Sequence, residues 1–230
     1  MGSAGAYPAN TPLVIGSAGV VQIASHGSGA TYVPTLSSLS NSGTIDIMNN
    51  AMIVHGGSIG TLSGEVASGF HNGDWAGTGS GVITSSLAAS DPSHLTAVGI
   101  ATGLTSFEGS AVSASDVLIK YTYYGDANLD GRVNSADYTL IDAGYLSPTG
   151  LTGWQNGDFN YDHVINGSDY TLIDNAFNQQ GAQINSQIAS ATAQIAGTGT
   201  SAAVPEPATL SLLALGAIGL LGRRRRGNNW

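Results

Sequence analysis

Asp126, Asn128, Asp130, Asn134 and Asp137 place oxygen-bearing side chains at positions one, three, five, nine and twelve of a twelve-residue loop. Asp158, Asn160, Asp162, Asn166 and Asp169 repeat the pattern in a second loop that begins 32 positions later. Each loop runs straight into the peptide Tyr-Thr-Leu-Ile-Asp. The chemistry open to such a set is the holding of a hard cation. Calcium takes six to eight oxygens at about 2.3–2.6 Å, and this spacing supplies them together with the backbone carbonyl of position seven. Position seven is Arg132 in the first loop and Val164 in the second. The expected cofactor is therefore Ca2+ at two sites, with these twelve residues as ligands. Asp, Asn and Gly also gather in ordinary turns, so one such loop alone would say little. Two in register, each followed by the same peptide, point to a duplicated metal module.

Position six needs a left-handed backbone. Gly131 takes it freely, whereas His163 must take it with a side chain. The second site is thus expected to be the weaker or more distorted. Val133 and Ile165 supply an apolar anchor at position eight. Beyond the loops, Tyr138, Ile141 and Tyr145, and again Tyr170, Ile173 and Phe177, recur at helical spacing. Each set falls on one helix face, and the two faces can pack together. Three carboxylates converge in each loop, at a cost of about 4 kcal/mol per close pair at an effective dielectric of 20. Folding of the module is expected to depend on calcium.

Two loop-helix copies with these ligand positions, over about residues 125 to 180, resemble the dockerin type I repeat. His163 departs from the family pattern at position six. The resemblance implies docking onto a cohesin-like protein. In that family partner choice lies near positions ten and eleven, here Ser135-Ala136 and Gly167-Ser168.

The tail reads Val204-Pro205-Glu206-Pro207, then an apolar run from Leu210 to Leu221, then Arg223 to Arg226. This order resembles the PEP-CTERM sorting signal, which implies export and processing by an exosortase-type enzyme. Consecutive arginines stay on the cytoplasmic side of a membrane. A helix over 209–222 would be about 21 Å long against a hydrocarbon core of about 30 Å, so transient insertion is expected rather than a permanent anchor. A buried terminal helix with a basic cap is the alternative. The expected location is the cell surface or extracellular matrix of a Gram-negative-type bacterium, with the C-terminus cytoplasmic until processing. Met1 to Pro12 has no basic start and no apolar h-region, which suggests a misassigned start or a piece of a longer product.

The elements that must position the loops read as mixed. With 33 Gly, 9% charged residues, no Cys and a net charge of −9, the chain suggests a β-rich extracellular protein without disulfides. Its acidic balance argues against a nucleic-acid partner. Short apolar runs at Leu13–Ile15, Val20–Ile23, Tyr32-Val33, Thr44–Ile47 and Met52–Val54 are punctuated by turn residues. They predict rungs of a parallel β-solenoid over 1–57, loosely resembling autotransporter-like surface proteins, with a β-sandwich as the alternative. A mixed α/β cap is expected over 58–124, with a helix from Ile59 to Phe70, strands from Leu95 to Ala101 and Asp116 to Tyr124, and Phe70 and Trp75 in the core. The small α-helical loop-helix module follows over 125–181, a linker over 182–203, and the sorting tail with its hydrophobic helix over 204–230.

Signals for catalysis are weak. Gly56-Gly57-Ser58-Ile59-Gly60 matches a nucleophile-elbow pattern, but no acid and base follow it in the required setting. Glu65, Asp74, Asp91, Glu108 and Asp116 are carboxylates that could form a glycosidase pair, yet none has a recognisable aromatic surround. The expectation is a non-catalytic, exported structural or adhesive protein with a cohesin-like protein or a surface glycan as partner. The alternative is the C-terminal docking region of a polysaccharide-degrading enzyme whose catalytic domain lies upstream.

Overall fold

Runs rich in β-branched residues form most of the strands of a mixed sheet, as expected of side chains that pack well on a pleated surface. A computed structural model describes residues 9–25 and 33–184. In chain order these form β1 (Thr11–Ile15), β2 (Val20–Gln22), β3 (Thr35–Asn41), β4 (Thr44–Asp46), β5 (Ala51–Val54), α1 (Ile59–Phe70), β6 (Val82–Thr84), α2 (Ser86–Ala89), β7 (Thr96–Ala101), β8 (Ser106–Phe107), β9 (Ser110–Ala111), β10 (Val117–Tyr123), α3 (Ser135–Tyr145) and α4 (Gly167–Gln179). All the described residues lie within one compact unit.

The larger sheet has the order β1-β3-β5-β10-β7, and a smaller one has the order β2-β4-β6. β1, β3 and β5 run parallel, but β10 is antiparallel to both β5 and β7. This overturns the expected β-solenoid end. A solenoid adds each strand parallel to the last, whereas here the chain inserts α1 between β5 and β6 and then reverses direction through β7 and β10. The apolar runs could not reveal this, because the two-residue period is the same in parallel and antiparallel strands. β3 is a polar strand, Thr-Leu-Ser-Ser-Leu-Ser-Asn, that no apolar run announces, and Val33 lies outside any strand.

Helix α1 has the expected bounds. Ser58 caps it by accepting from the Thr61 amide, and Leu62, Val66 and Gly69 bury one face. It ends at His71, whose φ of 44° is left-handed and whose N–H reaches the Ala67 carbonyl. Strands β7 and β10 are almost wholly buried on both faces. At Gly99 in β7 an added Cβ would lie 2.7 Å from both Leu129 and Trp154, so the missing side chain lets the loop-helix pair seat directly on the sheet.

That seat is aromatic. Trp154 stacks on Tyr161 at 5.7 Å, and Tyr161 meets Trp75 edge-on at 6.4 Å. Trp75 is only 2% exposed and donates to the Tyr124 hydroxyl, while the Tyr161 hydroxyl donates to the Val98 carbonyl at 2.6 Å. Trp75 therefore lies in the core, and Phe70 packs against it. No helix among the described residues is long and apolar enough to cross a membrane. The hydrophobic sorting helix expected over 209–222, and the linker from residue 185 onward, lie outside the described residues.

Candidate metal centre

Each loop is closed by the helix that follows it. Asn134 caps α3, and Asp137, in the first turn of α3, reaches back to the Asn134 amide in a capping box. Asn166 and Asp169 repeat this on α4. The twelfth loop position thus doubles as a helix-capping carboxylate, buried and fixed. Asp137 Oδ1 accepts from the Ala127 and Asn128 amides at 2.9 and 3.3 Å. Asp169 Oδ1 accepts from Phe159 and Asn160 at 2.8 and 3.3 Å.

The expected left-handed turn is present at position six in both copies, with φ of 87° at Gly131 and 67° at His163. Position four is left-handed as well, at Leu129 (59°) and Tyr161 (57°). Asn128 Oδ1 accepts from Asp130 N, and Asp130 Oδ1 accepts from Arg132 N. Asn160 and Asp162 make the matching bonds, to Asp162 N and Val164 N. These short-range turns hold positions three, five and seven on a tight arc in both copies.

The position-one carboxylates differ. Asp126 is fully buried. Its Oδ1 accepts from Asp130 N at 3.0 Å, and its Oδ2 accepts from Gly131 N at 2.8 Å and from the Thr122 hydroxyl. Asp158 is 1% exposed, and its Oδ2 accepts from Gly153 N and His163 N at 3.3 and 3.2 Å. Its Oδ1 has no hydrogen-bond partner among the described residues.

Burial pushes Asp126 up to about 7, offset in part by the Lys120 ammonium and the Thr122 hydroxyl. Burial pushes Asp137 up to about 6, and the nearby Asp130 charge adds to the rise. Asp158 and Asp169 are raised by burial first, and by the charges of Asp162 and Asp158 respectively. Each loop therefore buries two carboxylates, Asp126 and Asp137 or Asp158 and Asp169, beside a third that stays exposed, Asp130 or Asp162.

Among the described residues no three acidic or histidine side chains form a ready cage around one point. The carboxylates instead hold their own loop amides, and Asn side chains and main-chain carbonyls make up the rest of each set. Calcium fits this donor set, which is all oxygen, and it fits the orphaned Asp158 Oδ1, because a buried carboxylate oxygen without a donor is costly unless a cation or donor meets it.

Several residues that fix the first loop carry no motif. Lys120 Nζ donates to the Leu129 carbonyl at 2.9 Å, and Trp154 Nε1 donates to the Asp126 carbonyl at 2.7 Å. The Gln180 side chain bridges both main-chain groups of Val133. A single charge inside the apolar run Val-Leu-Ile-Lys-Tyr was the one signal available in the sequence.

The residues weighed for catalysis are dispersed. Ser58 Oγ caps α1. His55 Nδ1 lies 2.8 Å from Asp116, His71 pairs with Asp74, Asn41 donates to Glu65, Glu108 pairs with Lys120, and Asp91 accepts from Leu95 and Thr96.

Residues 124–178 match the family model of the dockerin type I domain, and residues 203–226 match that of the PEP-CTERM protein-sorting motif. No curated protein and no solved structure matches the chain. The chain carries a dockerin module and an export-sorting tail. The autotransporter-like resemblance of the first residues finds no such match and falls with the mixed sheet.

Proposed function

We propose that this is a non-catalytic, calcium-binding protein of the bacterial surface or extracellular space, which uses its dockerin module to dock and its tail to be sorted. In the first loop Asp126, Asn128, Asp130, the Arg132 carbonyl, Asn134 and Asp137 would hold one Ca2+. In the second, Asp158, Asn160, Asp162, the Val164 carbonyl, Asn166 and Asp169 would hold another. Bound calcium supplies positive charge where buried carboxylates converge.

The observation that carries this reading is Asp158 Oδ1, a buried anionic oxygen with no donor among the described residues. The dockerin match supports docking to a cohesin-like protein, with a surface glycan as the adhesive alternative. The sorting motif supports processing by an exosortase-type enzyme, with 209–222 passing transiently through the membrane.

Calorimetric titration of the chelator-stripped chain with Ca2+ is expected to reveal two sites, one of them lost in Asp137→Ala and the other in Asp169→Ala. No heat, together with unchanged protease resistance in chelator, would overturn the reading. The dockerin match also supports a second reading, the docking region of a polysaccharide-degrading enzyme. Hydrolysis of glycan by this chain itself would sink the non-catalytic proposal.

A further inference from the structure

The two loops share their ligand pattern, yet the rest of the chain treats them differently. Lys120 is the only lysine in the sequence. Its side chain is 1% exposed, and its ammonium pairs with Glu108 Oε1 at 2.5 Å and donates to the Leu129 carbonyl at position four of the first loop. Glu108 sits with Gly109 at the tip of the β8–β9 hairpin, both with positive φ. That tip faces Asn128, Leu129 and Asp130 across a cleft of about 220 Å³.

Further supports reach the same loop. Thr122 donates to the Asp126 carboxylate, and Trp154 donates to its carbonyl. Gln180 bridges Val133, Gln183 Nε2 donates to the Asp130 carbonyl at 2.7 Å, and Ile184 N donates to the Gly131 carbonyl at 2.9 Å.

Among the described residues the second copy shows no counterpart of these supports. Thirty-two positions after Lys120 and Thr122 stand Thr152 and Trp154, which provide neither an ammonium nor a hydroxyl to Asp158. The second loop is tied to the sheet through the Tyr161 hydroxyl, and its Asp158 Oδ1 is orphaned.

We infer that Lys120 is a positioning residue for the first calcium loop: the Lys120–Glu108 pair holds that loop in its binding shape before metal arrives, while the second loop, without that brace, opens more readily until Ca2+ is bound. The pair is close to neutral as a unit, so it braces Leu129 without placing a net positive charge against the incoming cation. A preorganised site has less ordering left to do on binding. Metal therefore enters the first loop as a formed site and has more ordering left to do in the second.

This inference rests on the calcium reading, and amide exchange separates the two. In the full chain stripped with EDTA, the amides of Ala127, Asp130, Gly131 and Val133 are expected to exchange about tenfold slower than those of Phe159, Asp162, His163 and Ile165, because protection follows the free energy of local opening. In Lys120→Met the gap should close at the first loop, with β7 and β10 amides still protected. If that variant does not fold, Lys120→Met combined with Glu108→Gln removes both charges together and reads the same gap. Equal exchange of the two loops in the wild type, or an unchanged gap in the double variant, overturns the role of Lys120. Calorimetric titration of the same samples with Ca2+ judges the calcium reading: heat with no gap sinks only the bracing by Lys120, and a gap with no heat sinks calcium binding.

Discussion

The Tyr138 hydroxyl, on α3, donates to Asp174 Oδ1 on α4 at 2.5 Å. The mate of this bond lies 32 residues on, where Tyr170 donates to Asp142 Oδ1, also at 2.5 Å. The ring contacts reciprocate too, Tyr138 on Phe177 and Tyr170 on Tyr145, both edge-on. The two copies are thus related by a local twofold that the sequence duplication makes natural.

Equivalent bonds should have equivalent worth. Tyr138→Phe and Tyr170→Phe are each expected to lower stability by about 1 kcal/mol, the usual net value of a hydrogen bond exposed at its edge. Urea unfolding of the calcium-loaded protein checks this, and unequal losses would show that the symmetry is geometric only. Burial and the Asp142 bond also push Tyr170 up to about 12, so its phenol should stay protonated in an ultraviolet titration until well past the ordinary tyrosine range.

Gly125 and Gly157 form another reciprocal pair. A Cβ on Gly125 would lie 2.5 Å from Ile173, and one on Gly157 would lie 2.5 Å from Ile141. Both glycines also have positive φ, at 91° and 109°. Gly125→Ala and Gly157→Ala should each cost about 2–4 kcal/mol, from overpacking added to left-handed strain. Chemical denaturation measures it. A loss below about 1 kcal/mol at either position would mean that the helices can separate without penalty.

Trp154 belongs by sequence to the connector between the loops, yet it is 1% exposed and touches the sheet, Phe159, Tyr161 and the Asp126 carbonyl. Trp154→Ala is expected to cost about 3–5 kcal/mol. Because one core runs through both halves, unfolding followed by far-ultraviolet dichroism and by tryptophan fluorescence should coincide in a single transition. Two separated transitions would show that the module folds alone.

The turns of each loop, the helix after it and α1 could be read from the sequence because local chemistry decides them: Asx side chains bond their own turns, and Ser58, Asn134 and Asn166 cap the helices that begin beside them. Strand partners are decided by contacts far apart in the chain. Nothing within Val-Leu-Ile-Lys-Tyr says that β10 inserts antiparallel between β5 and β7, so local pattern alone favours a parallel solenoid. The unequal bracing of the loops was hidden for the same reason, since Lys120, Trp154 and Gln180 act on the first loop from outside it.

His163 keeps a side chain at φ 67° and is otherwise exposed, with its ring 3.9 Å from Asp158. A left-handed non-glycine residue costs about 1–2 kcal/mol, part of which returns as the greater freedom of glycine in the unfolded chain. His163→Gly should therefore raise stability slightly and tighten calcium at the second loop several-fold, leaving the first loop unchanged. Site-resolved calcium titration checks this. Weaker binding in the variant would show that the imidazole helps to hold Asp158 in place.

Asp46 tests the fold away from the loops. It is 8% exposed and accepts from Gln22 Nε2 at 2.7 Å, Met48 N at 2.9 Å and Ser86 N at 3.0 Å, which ties β2, β4 and the start of α2 together. Burial alone would raise its pKa, but these donors outweigh burial and hold it below the ordinary carboxylate value. A lowered folded pKa means that the folded protein prefers the ionised form. Asp46 therefore contributes stability that is fully present above the unfolded carboxylate pKa of about 3.9 and is lost as pH falls through its lower folded value. Asp46→Asn should cost about 2 kcal/mol at pH 7, as hydrogen bonds to a charged group are exchanged for neutral ones. The difference from wild type should shrink as the unfolding midpoint is followed below pH 4. A difference that stays constant with pH would show that Asp46 acts through shape rather than charge.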